Sequence, residues 1–166
     1  MAHGLDLVVE ERVPVLSEGT FTLLAGPNGA GKTSLIEKLL LPGLSASKVV
    51  FAYVVQDFSL QKYAMMAELA VRGRTGGGET EICRNWVEAC PGIRVLVLDE
   101  YDKLGPVDPL VQACPGIDAM LAVSHGGREP LLRAASGRFK RGGELGLTPL
   151  DGRRGEVRVD WGPLWP

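Results

Sequence analysis

Residues 26–33 read Gly26-Pro27-Asn28-Gly29-Ala30-Gly31-Lys32-Thr33, which fits the phosphate-binding pattern Gly-x-x-x-x-Gly-Lys-[Ser/Thr]. The run lies between a strand-like apolar stretch at 21–25 and a helix-like stretch at 33–41. Its glycines let the backbone wrap closely around phosphate oxygens, so that successive N–H groups point inward. The helix that follows adds its N-terminal partial positive charge. The sequence therefore predicts a P-loop that binds the phosphates of a nucleotide.

The side chains of this loop have predicted tasks of their own. Lys32 is predicted to reach the outer phosphates and to take part in catalysis, and the Thr33 hydroxyl is predicted to ligate Mg²⁺. The residues predicted to bind the phosphates are Gly26, Asn28, Gly29, Ala30, Gly31, Lys32, Thr33 and Ser34.

The composition is that of an ordinary soluble globular domain. The chain has 166 residues, of which 45% are hydrophobic and 23% charged. A net charge of −2 gives no general attraction to nucleic acid or to anionic membranes. Because the chain has neither a run of 18 apolar residues nor an export signal, we expect a cytoplasmic protein without a transmembrane segment of its own. Its three cysteines are expected to be reduced thiols.

Apolar runs alternate with helical periods along the chain, which predicts an α/β fold. We expect a mainly parallel central sheet flanked by helices, with antiparallel strands at the N-terminus and C-terminus. The helix after the P-loop is predicted to end at Pro42-Gly43. Glycine and charged residues dominate much of 136–166, where short strands are predicted at 138–140 and 156–160. The whole of 1–166 is expected to form one nucleotide-binding domain.

An apolar run at 93–98 ends in two carboxylates, Asp99 and Glu100, and looks like a Walker B segment. Burial of this strand would hold Asp99 at the carboxyl edge of the sheet, where ligands bind in open α/β sheets. Asp99 is therefore predicted to hold the Mg²⁺ shell. Glu100, one residue on, is predicted to polarise the attacking water as a catalytic group.

With these two motifs in place, the stretch from Phe21 to His125 resembles the ATP-binding-cassette (ABC) ATPases. The segment 53–60 looks like their Q-loop, 74–79 lies where their signature motif is expected, and 121–125 ends in a histidine like their switch histidine. All five elements follow the order of that family.

The resemblance implies a set of site residues beyond the P-loop, with ATP and Mg²⁺ as cofactors. Gln56 would join Thr33 and Asp99 around the Mg²⁺ ion. His125 would act in catalysis as a neutral imidazole that hydrogen-bonds the γ-phosphate or the attacking water.

The resemblance also implies a homodimer that forms when nucleotide is bound. Each P-loop would face the signature-like residues of the opposite subunit, which are Thr75, Gly76, Gly77 and Gly78. These residues would contact the nucleotide held by the other copy.

The chain departs from the family pattern in several places. Thr75 and Gly76 replace the usual leucine and serine of the signature, and Glu79 replaces the glutamine. The helical insert, at about 57–80, is much reduced. No aromatic residue precedes Phe21, so the ring that usually stacks on adenine is missing.

Three functions are compatible with these patterns. The first is an ABC-type ATPase that couples dimerisation to an unknown protein partner, with a soluble protein or nucleic-acid machinery favoured over a membrane transporter. The second is a small P-loop kinase that transfers phosphate to a small molecule, and the third is a nucleotide-binding regulatory module with little turnover. The residues Arg138, Lys140, Arg141, Arg153 and Arg154 are compatible either with a nucleic-acid patch or with a solvated surface.

Overall fold

A computed structural model describes residues 6–8, 16–55, 57–74, 77–99, 111, 116–124, 128–150 and 156–165. Its strands are β1 (Asp6–Val8), β2 (Thr20–Ala25), β3 (Phe51–Val54), β4 (Val95–Leu98), β5 (Ala119–Val123), β6 (Arg141–Pro149) and β7 (Glu156–Trp165). Its helices are α1 (Lys32–Leu35), a π-helical turn (Ile36–Leu40), α2 (Leu41–Ala46), α3 (Phe58–Val71), α4 (Glu79–Ala89) and α5 (Glu129–Ser136).

The strands form one seven-stranded sheet in the order β1-β7-β6-β2-β5-β4-β3. The five strands from β6 to β3 are parallel, whereas β7 runs antiparallel to β6. Because β1 pairs in parallel with β7, it also runs against the central five strands. The predicted α/β fold, with a mainly parallel sheet and oppositely directed strands at both termini, is confirmed.

The central strands are buried on both faces, as continuous apolar sequence in a parallel sheet requires. Every residue of β4 and β5 is buried, and so are the first five residues of β2. One face packs under α3, α4 and α5 through Met65, Leu69, Ile82, Val87, Leu131 and Ala135. The other face packs under α1 and the π-helical turn through Leu35 and Ile36.

The helix after the P-loop is longer than the sequence predicts. It was expected to end at Pro42-Gly43, but α2 carries it on to Ala46. A proline in a regular α-helix lacks an N–H donor and clashes with the carbonyl four residues earlier. Here the turn directly before Pro42 is wider, with the Leu41 N–H donating to the carbonyl of Ile36 five residues earlier. The proline is therefore accommodated instead of ending the helix.

The segment at about 57–80 contains α3, which packs against α4. Trp86 of α4 donates its indole N–H to Glu68 of α3 at 2.6 Å, and Arg72 donates to the carbonyl of Ala89. With 14 residues, α3 is the longest of the described helices.

Within the described ranges no helix has the length and apolar content that crossing a membrane requires.

The glycine-rich segment near the C-terminus forms two long antiparallel strands, and the strand predicted at 156–160 is confirmed as the first half of β7. No strand covers 138–140; β6 begins at Arg141 and β7 runs to Trp165. The indole rings of Trp165 and Trp161 lie over Gly142 and Gly143, in the space that a Cβ would need. Trp165 also stacks on Phe21, with ring centroids 5.6 Å apart. The rings supply the burial that glycines cannot, and this allows a glycine-rich sequence to form a strand, with a register shift against β7 between Gly142 and Gly143.

Candidate phosphate and metal site

The loop between β2 and α1 has a backbone that only glycines adopt readily. Gly26, Gly29 and Gly31 have φ angles of 146°, 79° and 86°, in the region that favours glycine. A Cβ on Gly26 would lie 2.6 Å from the carbonyl oxygen of Leu147 in β6. The loop is therefore pressed against the neighbouring strand where it leaves β2, and it turns through Gly31 directly into α1.

The remaining predicted phosphate ligands follow the path of this loop. Asn28 and Gly29 are exposed at its tip, Ala30 is buried beneath it, and Ser34 is half-buried in the first turn of α1. The structure brings the predicted ligands together around the start of one helix, where N–H groups and the helix dipole favour an anion.

Lys32 lies folded back across the loop. Its side chain is buried, and its Nζ donates to the carbonyl oxygens of Gly26 at 2.7 Å and of Pro27 at 2.9 Å. A phosphate oxygen is a charged acceptor and therefore a stronger partner for an ammonium group than a carbonyl is. The lysine is placed where it can exchange these carbonyls for the outer phosphates of a nucleotide.

Two of the three predicted magnesium ligands are in direct contact. The Thr33 hydroxyl donates to Oδ2 of Asp99 at 2.8 Å, which joins the start of α1 to the end of β4. Asp99 is almost completely buried, and its backbone N–H donates to the carbonyl of Val54 in β3 at 2.9 Å. A hydroxyl and a carboxylate are the oxygen ligands that Mg²⁺ prefers. The pair fits a magnesium ion bound beside the P-loop.

Two further polar side chains at this position were not predicted from the sequence. The Tyr53 hydroxyl oxygen lies 3.2 Å from Oε1 of Glu37 and 3.5 Å from Oδ2 of Asp99. Burial raises the pKa of Tyr53 far above its ordinary value, and the negative charges of Asp99 and Glu37 raise it further. The phenol therefore stays protonated and remains a donor. The sequence held one signal for the position of Glu37. This residue follows Thr33 by four positions, which places the two side chains on the same face of a helix.

Five of the predicted site residues lie outside the described residues. They are Gln56, Thr75, Gly76, Glu100 and His125. The strand that leads to His125 is described: β5 pairs with β2 on one side and with β4 on the other. The P-loop and Asp99 therefore flank the carboxyl end of β5.

The described part of the signature-like segment lies at the start of α4. Gly78 is the last residue before the helix, and the carboxylate of Glu81 occupies the space that a Cβ on Gly77 would need. Glu79 forms an ion pair with Lys62 of α3 at 3.6 Å. The first turn of α4 thus carries two carboxylates, one of which is directed to α3.

No protein-family model matches the chain. A chromosome partition protein Smc from Gloeobacter violaceus is 39% identical to it over 79 residues. This alignment covers 44% of the chain but only 7% of the length of that Smc protein.

Two solved structures resemble the chain in fold. The flagellar accessory protein FlaH from Methanocaldococcus jannaschii has a TM-score of 0.50 at 12% identity, over 89% of this chain and 78% of FlaH. A KaiC-like protein from Pyrococcus horikoshii has a TM-score of 0.48 at 16% identity, over 89% of this chain and 79% of that protein. Together with the strand order and the loop geometry, the likeness to FlaH identifies the fold as that of a P-loop NTPase.

Proposed function

We propose that the chain is an ABC-type ATPase that binds Mg-ATP and hydrolyses it. The observation that carries this proposal is the 2.8 Å contact between Thr33 of the P-loop and Asp99 at the end of β4. These residues come from two motifs 66 positions apart in the sequence, and they meet beside the glycine-rich loop. Such a meeting of hydroxyl and carboxylate is what a metal-bound triphosphate requires.

Lys32, the loop N–H groups and Mg²⁺ would share the binding of the triphosphate. Lys32 would leave the carbonyls of Gly26 and Pro27 and bind the outer phosphates. The metal would neutralise charge on the phosphate oxygens, held by Thr33 and Asp99. Gln56 is proposed as a third ligand of the same ion.

The residues proposed to carry out hydrolysis are those that follow β4 and β5. Glu100 follows Asp99 directly and is proposed to activate water, while His125 is proposed to contact the γ-phosphate. Because β5 lies between β2 and β4, the chain that leaves β5 starts beside both the loop and Asp99. This strand order supports a role for His125 close to the phosphates.

The ABC class is supported by the order of the motifs along the chain. In this class the signature residues of one copy would bind the nucleotide of the other. A carboxylate at Glu79 would oppose this if it faced the phosphates, but Glu79 is paired with Lys62. The segment that is similar to Smc favours chromosome-associated or other nucleic-acid machinery as the partner that nucleotide-dependent dimerisation would drive.

A nucleotide-binding module with little turnover is the second candidate. The observation that favours it is the pair of carboxylates, Glu79 and Glu81, in the first turn of α4. They already occupy the positive end of the helix dipole, which a partner's phosphate would otherwise use.

Light scattering of the Glu100→Gln variant with and without Mg-ATP separates these candidates. An ABC-type ATPase deprived of its general base should accumulate as a nucleotide-bound dimer, whereas a simple binder should stay in one oligomeric state. Lys32→Ala, which should lose Mg-ATP binding, provides the control for dimers that form without nucleotide.

Release of ADP in water, with no phosphate acceptor present, distinguishes the ATPase from the small-molecule kinase. If the chain is an ATPase, the wild type should release ADP steadily and Glu100→Gln should release none. Wild-type turnover by Glu100→Gln would show that the catalytic assignment is wrong. Turnover that depends on an added small-molecule acceptor would instead identify a kinase.

A further inference from the structure

We propose that Tyr53 is a positioning residue for Asp99 and that Glu37 holds the Tyr53 hydroxyl in place. The inference rests on the proposed function, since it assigns Asp99 to the magnesium shell. It adds two residues, Tyr53 and Glu37, to which the sequence motifs assign no role.

Three elements converge on the Tyr53 hydroxyl. Tyr53 stands in β3, Asp99 follows β4, and Glu37 lies one helical turn beyond Thr33. The hydroxyl oxygen lies 3.2 Å from the carboxylate of Glu37 and 3.5 Å from that of Asp99. A phenol has one proton to donate, so the two carboxylates share it.

The contact from Tyr53 differs from the contact that Thr33 makes with the same oxygen of Asp99. Thr33 belongs to the P-loop helix and has to ligate the metal when nucleotide binds. Tyr53 belongs to a strand that pairs with β4, with Tyr53 opposite Val97. It therefore contacts Asp99 from a rigid support that nucleotide binding does not have to rearrange.

This arrangement lets Tyr53 fix the orientation of the Asp99 carboxylate before the metal arrives. Partners that orient a metal ligand by hydrogen bonding typically contribute 10-fold to 100-fold to metal affinity. The 3.5 Å separation from Asp99 is long for a hydrogen bond between oxygens. The effect is therefore expected at the lower end of that range, about 10-fold.

The test compares Tyr53→Phe with Tyr63→Phe, each of which removes one phenol hydroxyl. Tyr63 lies on α3 with 70% of its surface exposed and serves as the matched control. Binding of a fluorescent ATP analogue is titrated with Mg²⁺ and is also measured in EDTA. Tyr53→Phe should raise the Mg²⁺ concentration for half-maximal binding about 10-fold, with affinity in EDTA unchanged, and Tyr63→Phe should match the wild type.

The outcomes separate this inference from the proposed function. If the wild type does not bind the analogue even with Mg²⁺, the proposed function fails and the inference fails with it. If the wild type binds, Lys32→Ala does not, and Tyr53→Phe keeps the wild-type Mg²⁺ requirement, then only the inference is overturned. A Tyr53→Phe variant that weakens binding equally with and without Mg²⁺ would show a general structural role and would also overturn it.

Discussion

Replacing Gly26 by alanine tests whether the P-loop is braced against β6, as the structure requires. The residue leaves β2 with φ at 146°, which L-amino acids rarely adopt. The added Cβ would lie 2.6 Å from the backbone oxygen of Leu147. Since that oxygen belongs to a strand paired with β2, neither side can move without disturbing the sheet.

The expected cost has two parts. Holding a non-glycine residue in such a conformation costs about 1–3 kcal/mol, and forcing extra volume into a packed position costs about 1–3 kcal/mol more. Gly26→Ala should therefore destabilise the fold by roughly 2–6 kcal/mol. Gly29→Ala is the matched control, because φ is 79° and no described atom lies within 4 Å of the new Cβ. Only the conformational part, about 1–2 kcal/mol, applies there.

Urea denaturation followed by circular dichroism measures both variants against the wild type. The midpoint should fall for both, and clearly further for Gly26→Ala. If the two variants lose equal stability, the contact between the loop and β6 does not constrain the loop.

The glycines of β6 and the buried thiol of Cys83 give two further predictions. Gly142→Ala should destabilise the fold by about 1–3 kcal/mol, because the added Cβ would meet the stacked ring of Trp165. Gly143→Ala should cost less, since Trp161 is 38% exposed and its ring can swing outward; equal denaturation midpoints would contradict this difference. Burial raises the pKa of Cys83 to about 12, so its thiolate is scarce at pH 8. Mass spectrometry should find Cys83 alkylated by iodoacetamide only in denaturant, and labelling of the native protein would contradict this.

The sequence predicted the parts of the site that belong to short motifs, in which the residue types stand at fixed spacings. Lys32 and Thr33 follow the glycines at fixed positions, and Asp99 ends a run that only a buried strand explains. The meeting of Thr33 with Asp99 follows from these placements, because parallel strands present their carboxyl ends at one edge of the sheet.

Features that depend on pairing between distant segments were not predictable in this way. Tyr53 reaches Asp99 because β3 pairs with β4, and nothing in the local pattern around Tyr53 distinguishes it from a packing residue. The strand predicted at 156–160 is confirmed within β7, but β6 at 141–149 was missed, because glycines weaken a strand unless another residue covers them. The covering residues, Trp161 and Trp165, lie about twenty positions further along the chain.

The proposed function requires that the loop at 26–33 and Asp99 together hold the triphosphate of Mg-ATP. A crystal structure of the Glu100→Gln variant grown with Mg-ATP would show whether they do. The outer phosphates should lie within the loop, bonded to Lys32, and a metal ion should be ligated by the Thr33 hydroxyl beside Asp99. A triphosphate bound elsewhere, or a metal that approaches neither residue, would contradict it.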